Sequence, residues 1–211
     1  MKKLLAVLLA SSSMVAFADT FQDMNNNLYA AYQYTGLNGA SGYEASQYGL
    51  GGTFQSKNNV WLNADATSGV NNGVQSSDLG FKAGYAFQFF GDENQGFQVV
   101  PHVNFSTQNA ASPNGVGGSQ YMYGLGVKPE YRLLNSLKVA VDLNLNGTQT
   151  SGVSGNSTQV FLFGITPGVQ YDISKTVLLG LDYTYGAQFN DNANTAPNGT
   201  STVMAKVGYL F

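Results

Sequence analysis

Val203, Ala205, Val207, Tyr209 and Phe211 are apolar at every second position, with Met204, Lys206, Gly208 and Leu210 between them. Side chains on an extended strand alternate between its two faces, so this segment reads as a strand with one continuous apolar face. The pattern constrains the fold because it recurs nine more times. Apolar sets at spacing two run from Leu28 to Tyr34, Tyr48 to Phe54, Val60 to Ala66, Leu79 to Phe87, Phe97 to Phe105, Tyr121 to Tyr131, Leu137 to Leu145, Phe161 to Tyr171 and Val177 to Tyr185. No charged residue falls in any of the ten sets. The charges collect on the opposite faces: Asp65, Asp78, Lys82, His102, Lys128, Glu130, Arg132, Lys138, Asp142, Asp182 and Lys206.

The N-terminus names a compartment. Lys2 and Lys3 precede an apolar core from Leu4 to Ala10, and Ala16-Phe17-Ala18 forms a small-x-small cleavage site before Asp19. These are the parts of a secretory signal peptide over residues 1–18, which leaves residues 19–211 as a single folded domain. The apolar core is far below the roughly 20 residues of a spanning helix, and no later run is longer. There is no Cys, and only 10% of residues are charged. Removing Lys2 and Lys3 takes the formal charge from -3 to about -5, and no basic patch remains to hold nucleic acid. An exported chain with ten uncharged apolar faces can enter a membrane only as a closed barrel, because lipid leaves no backbone polar group a partner outside the sheet. A Lys or Arg on the lipid face at mid-bilayer costs about 2–4 kcal/mol, so a mistaken register would have placed charges there.

The connections and aromatics agree. Short connections (56–59, 89–96, 133–136 and 172–175) alternate with longer ones rich in Asn, Gly, Ser and Thr. Tyr32, Tyr34, Tyr48, Phe105, Tyr121, Tyr123, Phe161, Tyr183 and Tyr185 lie toward the long-loop ends. Phe54, Tyr85, Phe87, Phe97, Tyr131, Tyr171, Tyr209 and Phe211 lie toward the short-turn ends. Two aromatic girdles bracketing an aliphatic band are what membrane interfaces select. Pro101, Pro129 and Pro167 fit less well, since each removes a ladder donor; local bulges are expected there. Residues 19–25 read as a short mobile lead.

The signal segment, the alternating strands and the closing segment resemble the small outer-membrane β-barrel proteins of Gram-negative bacteria, of the opacity-type and small porin-like kind. The resemblance implies an all-β fold: a single antiparallel up-and-down transmembrane barrel. It has ten strands, or eight or twelve if one pair is misread. It implies both termini in the periplasm and long loops outside. It further implies that Val203, Ala205, Val207, Tyr209 and Phe211 are the signal read by the barrel-assembly machinery, with periplasmic chaperones on the way. The implied surroundings are outer-membrane lipids and lipopolysaccharide, and the implied state is a monomer.

Chemistry is sought among the inward charges. Aligning the outward sets across the turn after Leu133 pairs Glu130 with Lys138 and puts His102 roughly opposite Lys82. The charges either pair with one another and plug the lumen, as buried charges must, or form a constriction that selects solutes. Inward glycines either widen the lumen or permit the strands to kink. A lone His with no Cys is a poor transition-metal site, so neither metal nor cofactor is expected. His102 lies at mid-strand, away from any loop-end acid cluster, so a lumen-lining role is expected and no enzymatic one. The first functional reading is a narrow passive pore for small polar solutes. The alternative is a non-conducting surface barrel whose loops serve adhesion or envelope integrity.

Overall fold

The computed structural model describes residues 21–38, 44–71, 74–92, 95–111, 117–152, 159–189 and 199–211. The expected signal peptide and Asp19 lie outside the described residues. A one-turn helix, α1 (Gln22–Asn25), precedes β1 (Asn27–Asn38), β2 (Glu44–Gln55), β3 (Val60–Asn71), β4 (Val74–Tyr85) and β5 (Phe87–Gly91). Then follow β6 (Gly96–Ala111), β7 (Gly117–Leu134), β8 (Leu137–Gly152), β9 (Gln159–Asp172), β10 (Val177–Phe189) and β11 (Gly199–Leu210). Apart from β4 and β5, each strand pairs antiparallel with its neighbour in sequence. β1 pairs β11, and both β4 and β5 pair β6, so the sheet closes on itself.

Eleven strands make ten staves. Gly84 pairs His102 and Phe87 pairs Val99, the same register on β6 on either side of Ala86. Ala86 instead donates its N–H to the Asn59 carbonyl at 2.8 Å, because β3 begins only at Val60 and offers β4 nothing further. β5 is therefore the lower half of the fourth stave. A bulge between Gln88 and Phe90 then turns both Phe89 and Phe90 outward, adding them to Phe97 and Tyr131 in one aromatic cluster.

The outward sets face outward. Leu28, Leu50 and Leu125 are 61%, 70% and 67% exposed, on a continuous apolar wall far larger than a soluble monomer carries. The inward glycines do not leave the lumen empty. A Cβ on Gly84 would lie 2.8 Å from His102 Cβ, and one on Gly51 would lie 2.5 Å from the Tyr29 hydroxyl. Bulky inward side chains thus lie over several glycines on the neighbouring strands, and much of the interior of a barrel this narrow is packed.

Two expectations are corrected. The prolines cause no bulge. Pairing of β7 with β8 jumps from Val127–Leu143 to Glu130–Ala140 beside Pro129, and that of β9 with β10 from Asp182–Gly168 to Tyr185–Ile165 beside Pro167, each time in unchanged register. Pro101 lies opposite the β4–β5 break. Each proline interrupts one of its two ladders, where its missing N–H would have been needed, and keeps the other whole. The two length classes of connection also blur. β6, β7 and β8 run for 16, 18 and 16 residues, and β3 and β4 are joined by residues 72–73 alone. Much of what reads as loop is ladder, because Asn, Ser, Thr and Gly pair as readily as apolar residues once the hairpin is aligned.

Candidate functional site: the charged lumen

The end of the barrel that carries the short turns is sealed from within. Phe21 and Met24 are 1% exposed and Asn25 is fully buried, so residues 21–25, the described part of the expected mobile lead, form a plug. Its hydrogen bonds reach four strands, β2, β7, β8 and β9. Asn25 Nδ2 donates to Gln55 Oε1 at 2.7 Å and to Glu130 Oε2 at 3.0 Å. Lys138 Nζ donates to Asn25 Oδ1, and Gln170 Nε2 donates to the Met24 carbonyl at 2.9 Å. Gln55 and Gln98 exchange amide hydrogen bonds of 3.1 Å, and Gln98 also donates to Glu130. Glu130, with no exposed surface, pairs with Lys128 at 2.8 Å and Lys138 at 3.7 Å. A carboxylate so deeply buried is tolerable only because cations and amides surround it.

Glu130 and Lys138 do meet, but not by the expected register. Glu130 is directly opposite Ala140, and Lys138 is opposite Arg132, because the turn is tightened to Asn135 and Ser136 with a bulge between Arg132 and Leu134. A shift of two residues keeps every side chain on its own face, so the ion pair survives as a diagonal contact. Arg132 is drawn to the turn itself, donating to the carbonyls of Leu134 at 3.4 Å and Asn135 at 3.0 Å.

Above the seal lies a cavity of about 200 Å³ whose wall includes Trp61, Asn63, Asp65, Lys82, Lys128, Lys138, Asp142, Asp182 and Lys206. The structure thus gathers seven of the eleven inward ionisable residues into one space. Lys82 on β4 reaches over to Asp142 on β8 at 2.6 Å, a bar across three steps of the wall. Lys206 pairs with Asp182 and stands 4.8 Å from the Tyr29 ring centroid. Lys128 lies 5.1 Å from the Trp61 ring centroid, within cation–π range.

Of the remaining inward residues, Glu130 belongs to the seal and Arg132 to the turn, while His102 touches the cavity wall through its Nε2, 3.5 Å from Asp142 Oδ1. Asp78 accepts from Gln47 at 2.6 Å and Thr67 at 3.3 Å, farther from α1. His102 is opposite Gly84, not Lys82, and is 5% exposed. Its Nε2 is 3.0 Å from Asn144 Oδ1, its Nδ1 is 3.2 Å from the Val100 carbonyl, and its ring packs on Trp61 at 5.7 Å. Phe21, Met24, Asn25, Gln55, Trp61, Gln98 and Gln170 were not singled out by sequence. The only signal was that Gln55, Trp61, Gln98 and Gln170 fall on inward positions near the short turns.

No protein-family profile and no curated protein matches the chain. Solved structures do. The outer membrane protease OmpT from Escherichia coli is 9% identical, with a TM-score of 0.50 over 95% of this chain and 100% of that one. The NanC porin is 13% identical, with a TM-score of 0.47 over 86% of this chain and 100% of that one. Ail, the attachment invasion locus protein of Yersinia pestis, is 15% identical, with a TM-score of 0.43 over 88% and 97%. At 9% identity, the likeness to the protease speaks to architecture alone. The chain has the fold of the small Gram-negative outer-membrane β-barrels.

Proposed function

We propose that this protein is an outer-membrane barrel that stands closed to solute flow and works from its outward end. The carrying observation is the seal: α1 fills the short-turn end, with Asn25, Gln98 and Glu130 all fully buried. A standing water path through that end has no room. The opposite end supports the second half of the reading. A membrane strand needs about 9–11 residues, and the 16 to 18 residues of β6, β7 and β8 carry the wall beyond that on the side away from α1. The projecting part is polar, with Asn109, Ser119 and Ser151 hydrogen-bonding along it. With the short turns in the periplasm, this rim stands above the outer leaflet, where a contact surface belongs.

The test is single-channel conductance of refolded chain 19–211 beside a variant lacking residues 19–25. The expected result is a silent full chain and discrete openings without the plug. Regular openings of the full chain restore the passive pore. Silence of both assigns the closure to the lumenal ion pairs.

A further inference from the structure

Four carboxylates and four ammonium groups meet in and just below the lumenal cavity, so the set is neutral, but the charges are not matched evenly. Glu130 serves both Lys128 and Lys138. Asp65 serves none: among the described residues it makes no ion pair and no hydrogen bond. Its carboxylate lies over Gly80, 2.8 Å from where a Cβ would stand. Lys82 is on the adjacent strand, yet its ammonium goes to Asp142. The surplus positive charge lies on the two lysines that share Glu130, and the solvent-facing one, Lys128 on β7, stands three steps around the wall from Asp65 on β3; Lys206 on β11, three steps the other way, is already matched by Asp182. Lys128 remains reachable by solvent, with its side chain 20% exposed.

From this separation we infer that the cavity binds a small zwitterionic solute, its ammonium group on Asp65 and its carboxylate toward Lys128. A free cation answers only Asp65 and a free anion only Lys128, whereas a molecule carrying both leaves the neutral lumen neutral. Size sets the class. A dry cavity of about 150 Å³ takes benzene, so about 200 Å³ suits an amino acid of roughly six to ten heavy atoms. The site stands whether or not the barrel conducts.

The experiment is calorimetric titration of folded chain 19–211 with glycine, β-alanine, γ-aminobutyrate and 6-aminohexanoate, which separate the two charges by increasing distances. Methylammonium and acetate serve as single-charge controls. One chain length is expected to bind at least tenfold more tightly than either control, a factor in keeping with one charge-assisted contact. Asp65→Asn is expected to remove that advantage, while Asp78→Asn, outside the cavity, leaves it in place. The inference is overturned if no member of the series binds, if methylammonium binds as tightly as the best zwitterion, or if folded Asp65→Asn binds like the parent. Should Asp65→Asn fail to fold, the parent series alone decides by the first two outcomes.

Discussion

The two levels of the lumen use the same side chains to different ends. At the sealed level, Asn25, Gln98 and Glu130 have no exposed surface and their polar groups are held among α1, β2, β6, β7 and β8. One level up, Lys206 and Asp182 keep 19% and 25% of their side chains exposed, and Lys82 keeps 29% although its partner Asp142 is buried. Burial therefore decides what a charge does here. Without water, an ion pair is an obligatory part of the packing, since losing one partner strands the other. With water, each partner is separately solvated and the pair is adjustable. A barrel can close one end with the first kind and keep a site with the second.

The comparison is tested most severely at Glu130. Glu130→Ala leaves Lys128 and Lys138 without their shared carboxylate and removes an acceptor from Asn25 and Gln98. We expect a loss of about 3–5 kcal/mol, the range for breaking a buried ion pair, read as a lowered urea midpoint from the fluorescence of Trp61, the single tryptophan. A loss under about 1 kcal/mol would mean that water reaches the seal, and the distinction between the two levels would fall.

A smaller effect is expected where packing, not charge, is disturbed. Gly84→Ala puts a methyl group 2.8 Å from His102 Cβ and closer still to the Pro101 carbonyl oxygen, which belongs to the backbone and cannot swing aside. Overpacking of this kind costs about 1–3 kcal/mol. Because His102 leans on Trp61, the fluorescence maximum of the folded barrel should shift as well. An unchanged midpoint and spectrum would show that the interior is looser than close packing of inward side chains over glycine implies.

What sequence alone revealed follows the same division between wall and contents. The wall was legible because alternation of period two is a local property, and a lipid face tolerates no charge. Even the register of Glu130, off by two residues, left every side chain on the expected face. Ten staves were counted correctly although β4 breaks at Ala86, because the alternation from Leu79 to Phe87 runs through the break. The contents were less legible. Nothing in Phe21 to Asn25 has a period, and whether such a segment dangles or plugs depends on the width of a lumen formed by distant strands. A search for charge passed over Gln55 and Gln98, although their amides complete the seal. The idle carboxylate of Asp65 could not be seen either, since it depends on Lys82 reaching across the lumen instead of to its neighbour.

The mildest change sharpens the comparison from the wet side. Lys206→Met keeps an unbranched side chain over Gly180 and removes the ion pair to Asp182 and the contact with the Tyr29 ring. Asp182 retains access to water, so its charge is not stranded, and the expected loss is about 1 kcal/mol or less, as for partly exposed pairs. The same urea titration that reads Glu130→Ala reads this variant, and the ratio between the two is more telling than either value. If Lys206→Met costs as much as Glu130→Ala, the cavity is as dry as the seal, its ion pairs are fixed packing elements, and a solute could not compete for them. If the ratio is threefold or more, the lumen has a rigid floor beneath an adjustable chamber, which is the physical condition a binding site above a plug requires.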